Sequence, residues 1–136
     1  MPKSPTDIAM DFVSRIDAHD IEGLLKLMSE NHRFVDGLGE ETQGKGNMKK
    51  AWASYFSWFP DYHMFIERTF ANRQWVALFG RAGGTYAASG KYRPEKNLHW
   101  DIPAAWKARV VAGLVVEWQV YADNEPVWKA MGVKRY

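Results

Sequence analysis

Residues 11–37, DFVSRIDAHDIEGLLKLMSENHRFVDG, change pattern three times within one short stretch. Phe12, Val13 and Ile16 continue a helical spacing that begins at Ile8 and Ala9. His19-Asp20 interrupts it, and Asp20 is placed to cap a second helix whose apolar side is Ile21, Leu24, Leu25, Leu27 and Met28. His32 to Asp36 then has strand character and ends at Asp36-Gly37, a turn dipeptide. Upstream, Ser4-Pro5-Thr6-Asp7 reads as a helix start: a capping serine, a proline at the first helical position, and an acid where a capping box needs one.

Outward from this stretch the pattern continues. A third helix is expected from near Asn47, with Met48, Ala51, Trp52, Tyr55, Phe56 and Phe59 on one broad face and Pro60 as its stop. From Tyr62 the period becomes two, so that Tyr62, Met64 and Ile66 alternate with His63, Phe65 and Glu67. Asn72-Arg73 reads as a turn. Gln74 to Tyr86 reads as a long strand, with Gly80, Gly83 and Gly84 suited to bends or bulges. Lys91 to Asn97 is a polar loop. Trp100 to Val111 and Leu114 to Ala122 form a hairpin around Ala112-Gly113, and Asp123 to Met131 a short terminal helix. The expected class is α+β: three N-terminal helices packed on a curved, mostly antiparallel sheet. No internal repeat or linker divides residues 1–136, which read as one domain.

Composition narrows the function classes. The chain has 136 residues, 46% of them hydrophobic, with 7 Trp, 7 Phe and 6 Tyr, enough to bury a core and to exclude general disorder. The longest apolar run, Val110 to Val116, is far short of the roughly 20 residues a membrane span needs. The opening MPKSPTDIAMDF lacks the apolar segment of a secretory signal. Cysteine is absent, which removes disulfides, thiolate nucleophiles and Cys-ligated metals. A net charge of +2 with scattered basic clusters does not suit nucleic acid. The expectation is a soluble cytoplasmic protein with neither membrane nor nucleic-acid partners.

The order helix, helix, short strand, helix, then strands ending in GLVVEWQVYADNEPVWKAMG (113–132) resembles the cone-shaped nuclear transport factor 2-like fold. Residues 11–37 resemble the corresponding family segment without a gap. The nearest branch is the SnoaL-like polyketide cyclases and ketosteroid isomerases. This resemblance implies a cone with a pocket, a small hydrophobic or aromatic ligand, a reaction without cofactor or metal, and a homodimer paired through the outer sheet face. It places Asp36 on the general-base carboxylate of the isomerases. It also places Phe12 where those enzymes have a donor tyrosine, and Trp106, or Ala105 if the turn is not one residue shorter, where they have a protonated acid. With both donors missing, steroid isomerisation itself is not expected, although the Trp106 indole could donate one bond.

The residues themselves give a parallel reading. Asp36 shares a strand face with Phe34, so it points into the cone if Phe34 does. A carboxylate among aromatic rings loses hydration and becomes a usable base or acid; an Asp before Gly also commonly accepts bonds from its own turn. Phe12, Trp52, Tyr55, Phe56, Trp100, Trp106 and Trp118 are candidates to line a pocket for a flat apolar molecule. If Trp106, Ala108 and Val110 face inward, Lys107 and Arg109 face water. His99 and Asp101 share a strand face and could form a polar pair in the pocket, but alternation from Trp106 sends both outward. His19, His32, His63 and His99 show no metal-ligand spacing and read as lone surface histidines. Asp123 either matches the family's terminal Asp or caps the last helix. GEETQGKG (39–46) is one residue short of a phosphate loop, lacks its hydroxyl, and carries two acids where phosphates would sit; it is read as a loop at the mouth of the cone.

Overall fold

The first helix begins where its sequence predicts. In α1 (Pro5–Asp17) the Ser4 hydroxyl accepts from the Asp7 amide while the Asp7 carboxylate accepts from the Ser4 amide. Ile8, Ala9, Phe12, Val13 and Ile16 form its buried stripe. Asp20 caps α2 (Ile21–Leu27) by accepting from the Gly23 amide. A side chain at Gly23 would collide with that carboxylate, so the cap needs glycine there. The computed structural model describes residues 3–87 and 98–133, and the polar loop expected over Lys91–Asn97 lies outside them.

Met28, expected on the second helix, is instead the first residue of β1 (Met28–Val35). Its backbone is extended and it pairs with Val115, so strand pairing wins over the apolar helical stripe. The GEETQGKG stretch, expected as a loop, holds a strand. This is β2 (Glu41–Gln43), antiparallel to β1, and it ends at Gly44, whose φ of 95° opens α3 (Lys45–Trp58). The remaining elements are β3 (His63–Asn72), β4 (Trp75–Thr85), β5 (His99–Val111), β6 (Leu114–Tyr121) and α4 (Glu125–Met131). One six-stranded curved sheet runs β2-β1-β6-β5-β4-β3, antiparallel throughout except for the parallel pair β1–β6. The α+β class with three N-terminal helices on a curved, mostly antiparallel sheet is what the structure shows.

β5 alternates strictly. Trp100, Ile102, Ala104, Trp106, Ala108 and Val110 are buried on the inner face, and Pro103 does not break the period. α1 lies against this face, with the Phe12 ring 4.7 Å from that of Trp118. On the outer face Arg33 of β1 pairs with Glu41 of β2 and, at 2.5 Å, with Glu117 of β6. Glu117 also meets Lys107 of β5 at 3.2 Å, so one nearly buried carboxylate ties three strands.

Between β3 and β4 the register slips at Glu67: Ile66 pairs with Gly80, but Arg68 with Phe79. The extra residue is a bulge, which bends the strand that carries it. A Cβ on Gly80 would fall on the Phe65 carbonyl oxygen, so the bulge requires glycine opposite. Replacing Gly80 with Ala is expected to cost about 1–3 kcal/mol. Gly46, in the first turn of α3 with open space around it, provides the contrast. Gly46→Ala should stabilise by about 0.4–1 kcal/mol. Denaturant unfolding of both variants checks the opposite signs.

His32 is not a surface histidine. It is fully buried, stacked 5.9 Å from Phe12, with Nδ1 2.7 Å from the Val115 carbonyl oxygen. A carbonyl only accepts, so Nδ1 carries the proton, and Nε2 is buried with no partner among the described residues. Desolvation pushes the ring's pKa below its ordinary 6.5, partly offset by the Val115 bond and by Glu117. The unfolded chain therefore takes up a proton that the fold resists. Stability should fall as pH drops below about 6.5 and on through the depressed folded value. In His32→Gln, which can still donate to Val115, that slope should flatten in denaturant titrations run at several pH values.

Candidate functional site

The space between the helices and the inner sheet face is hollow, with a cavity of about 510 Å³. Its existence follows from side-chain size. The inner-face residues Ala82 of β4, Ala104 of β5 and Ala122 after β6 are small, while Trp100, Trp106 and Trp118 stand beside them as walls. Gly84 leaves room for the Trp100 ring, since a Cβ there would sit 3.3 Å from that ring and from Phe59. α3 supplies Met48, Trp52 and Tyr55, and α4 covers part of the opening with Val127, Trp128 and Met131. An aromatic-walled cleft of this size fits a small planar ligand.

Of the residues expected to line a pocket, Trp52, Tyr55, Trp100, Trp106 and Trp118 do so. Phe12 lies behind Trp118, and Phe56 stacks between His19 (4.1 Å) and Trp52 (5.2 Å). Those two support the wall rather than form it. Tyr62 and Phe34 line the cavity and were not singled out for it. The signal for Tyr62 was its place two residues before the buried Met64, and for Phe34 its shared face with Asp36.

Asp36 also borders the cavity, immediately after β1. Its Oδ1 accepts from the amides of Leu38 (2.9 Å) and Glu40 (3.0 Å), so the turn fixes the carboxylate's orientation. Among the described residues Oδ2 has no hydrogen-bond partner. One carboxylate oxygen thus closes the turn, and the other is uncommitted among the described residues.

His99 and Asp101 stand on the outer face. Asp101 pairs with Arg81 at 2.6 Å, and His99 Nδ1 lies 2.9 Å from the Thr85 hydroxyl. Asp123 accepts from the Glu125 amide at 3.0 Å just ahead of α4, whose N-cap residue is its neighbour Asn124, and of the two Asn124 borders the cavity. Among the described residues no three His, Asp or Glu side chains cluster as a metal site would require.

The polar groups in the wall are mostly donors. Among the described residues the indole N–H groups of Trp52 and Trp100 are buried without partners. Tyr55 and Tyr62 line the cavity with ring centroids 5.0 Å apart, and burial raises both hydroxyls well above the ordinary value of 10.0, so both stay protonated. The Asp17 carboxylate acts on the Tyr62 side of the pair and itself accepts from the Met64 amide at 2.8 Å.

Solved structures share this architecture. A provisionally named SnoaL-like polyketide cyclase from Jannaschia sp. CCS1 superposes with a TM-score of 0.79 at 15% identity, covering 99% of each chain. IdmH from Streptomyces antibioticus, provisionally named a polyketide cyclase, gives 0.77 at 18% identity over 96% of this chain and 100% of its own. A ketosteroid isomerase-like protein from Catenulispora acidiphila, solved with trimethylamine, gives 0.77 at 16% over 97% and 96%. At such identities the likeness concerns the fold. No curated protein sequence matches the chain. The model of the SnoaL-like domain matches residues 9–118, a span that runs from α1 to the Trp118 wall of the cavity, and the chain belongs to that family.

Proposed function

We propose that the protein is a cofactor-independent acid/base enzyme acting on a hydrophobic carbonyl compound of polyketide type, with Asp36 as the base. The observation that carries this reading is a carboxylate with one uncommitted oxygen beside an aromatic cavity of about 510 Å³. The carboxylate would take a proton from the carbon next to the carbonyl. The C–H pair becomes the new C=C bond, and the carbonyl π pair moves to oxygen as an enolate. Returning the proton to another carbon isomerises the compound; attack of the enolate carbon on a second carbonyl closes a ring. The structural neighbours named for polyketide cyclisation support the substrate class.

A second reading, a non-catalytic binding protein for the same ligands, is favoured by the turn bonds that occupy Oδ1 and by the lack of a hydroxyl at Phe12 and of an acid at Trp106 or Ala105, where the resemblance puts the isomerase donors. Deuterium exchange at the α-carbons of 2-tetralone in D₂O separates the two. The enzymatic reading expects catalysed exchange, with Asp36→Asn lowering its rate by about 10²–10⁴-fold while the melting temperature holds. Exchange no faster than in buffer, despite binding, favours the second.

Pairing of two copies through the outer sheet face belongs to the same proposal. Phe65, Phe70 and Phe79 are 63%, 61% and 46% exposed there, and Phe70 packs edge-on against Phe79 at 6.0 Å. Such an apolar surface suits a partner's matching face. Light scattering should find a dimer, and Phe79→Arg should shift it toward monomer; a monomeric parent would remove the proposal.

A further inference from the structure

At the end of the cavity that α4 covers, two segments meet that lie far apart in the chain. β1 and β6 run parallel, with Val35 beside Gln119, so both leave the sheet at this end and continue as Asp36-Gly37 and Ala122-Asp123-Asn124. Asp36, Gly37, Ala122 and Asn124 all border the cavity. The Asn124 carboxamide lies with its nitrogen over Gly37. A Cβ there would sit 2.7 Å from Nδ2, so the absent side chain makes room for the amide. Asn124 is the N-cap residue of α4, a position where asparagine ordinarily turns its side chain onto the first helical amides. It makes no such bond, and Asp123 accepts from the Glu125 amide instead. Among the described residues the Asn124 carboxamide has no hydrogen-bond partner. It therefore offers free N–H donors next to Asp36, whose uncommitted Oδ2, when ionised, only accepts. Apart from the rings, the polar side chains bordering the cavity among the described residues are these two and Ser54, an exposed residue of α3.

We propose that Asn124, seated against Gly37 beside Asp36, is the hydrogen-bond donor for the substrate's carbonyl oxygen. This rests on the carbonyl class named under the proposed function and deepens it, because it fixes how the ligand lies. The carbonyl end sits between Asp36 and Asn124, and the hydrocarbon body extends over Trp100, Trp106 and Trp118. As Asp36 takes the proton from the α-carbon, the C–H pair forms the C=C bond and the carbonyl π pair moves to oxygen. The Asn124 amide protons stay on nitrogen, and their bond to that oxygen strengthens as its charge grows. A donor and a base side by side select compounds whose acidic C–H adjoins the carbonyl carbon. A hydrocarbon of equal shape leaves the amide unsatisfied. Gly37 sets this selectivity as well, since any side chain there displaces the amide.

The test uses 2-tetralone and 2-methylenetetralin, in which a methylene group replaces the oxygen, titrated by calorimetry against the wild type, Asn124→Ala, Asn124→Asp and Gly37→Ala. The wild type should bind the ketone about tenfold or more tightly than the hydrocarbon, the equivalent of one good hydrogen bond. Asn124→Ala and Asn124→Asp should bring that ratio to about threefold or less with hydrocarbon affinity unchanged; the Asp variant keeps the shape and loses the donor. Gly37→Ala, which retains the amide but displaces it, should fall between. Neither Asn124 variant should lower the melting temperature, because the carboxamide caps nothing. In isotope-labelled protein the side-chain NH₂ signal missing from Asn124→Ala should move when the wild type takes up the ketone and stay when it takes up the hydrocarbon. A residue with a purely structural role would not give that response. Exchange at the α-carbons should slow about 10²–10³-fold in Asn124→Ala. Equal binding of the two probes, no binding of the ketone, or an NH₂ signal that the ketone leaves in place would overturn the inference. Exchange and ketone preference that both survive in Asn124→Ala would overturn it too, while leaving Asp36 as base. A preference that depends on Asn124 where the wild type shows no exchange removes Asp36 as base and leaves the donor standing.

Discussion

A curved sheet covered by helices leaves a hollow only where the side chains facing it are unequal in size. Here the decisive inequality is on β5, where Ala104 lies between Ile102 and Trp106 on the inner face. Close packing would otherwise fill such a space with the protein's own side chains. Large rings stand at the edges, small residues at the centre, and the bulge at Glu67 with Gly80 opposite adds bend to the sheet. Phe12 on Trp118 closes one boundary, so a fully buried contact of the core is also a wall support of the site. Cavity, donors and carboxylate all depend on this unequal lining.

The chemistry of the wall is distributed in an order that the fold alone does not dictate. At the places where the resemblance puts the isomerase donors, Phe12 carries no hydroxyl and neither Trp106 nor Ala105 is an acid. Other groups of similar hydrogen-bonding character appear on α3 and at the start of β3, in Tyr55 and Tyr62. A cone of this kind holds its lining residues on several independent segments, so donor groups can migrate around the wall without disturbing the backbone. That is a physical reason why one architecture accommodates many reactions.

Much of the fold was legible in the sequence because local signals carried it. Ser4-Pro5-Thr6-Asp7 and Asp20 are caps whose partners lie within three residues, and the period of two in β5 oriented Trp106 inward and His99 and Asp101 outward before any coordinates. What depended on distant partners was not legible. Met28 becomes strand because Val115 of β6 lies beside it, and the chain rejoins β6 at Arg33 after a break in register. His32, flanked by Asn31 and Arg33, gives no local hint of burial; its partner carbonyl at Val115 is 83 positions away. For the site, ring-bearing residues were readable as a set, but not which of them face the cavity. Phe12 and Phe56 share the composition and spacing of the true lining residues and differ only in what packs in front of them.

The parallel pairing of β1 with β6 carries a consequence for how the molecule is made. Synthesis proceeds from the N-terminus, so α1, α2 and β1 leave the ribosome long before the strand that β1 must adjoin. Until residues 115–119 emerge, the apolar stripe of α1 has no Trp118 to rest on and the edge of β1 is open except to β2. Closing so long a loop is entropically slow. The nascent chain therefore passes through an interval of exposed aromatic surface, in which a holding chaperone has its natural window of action.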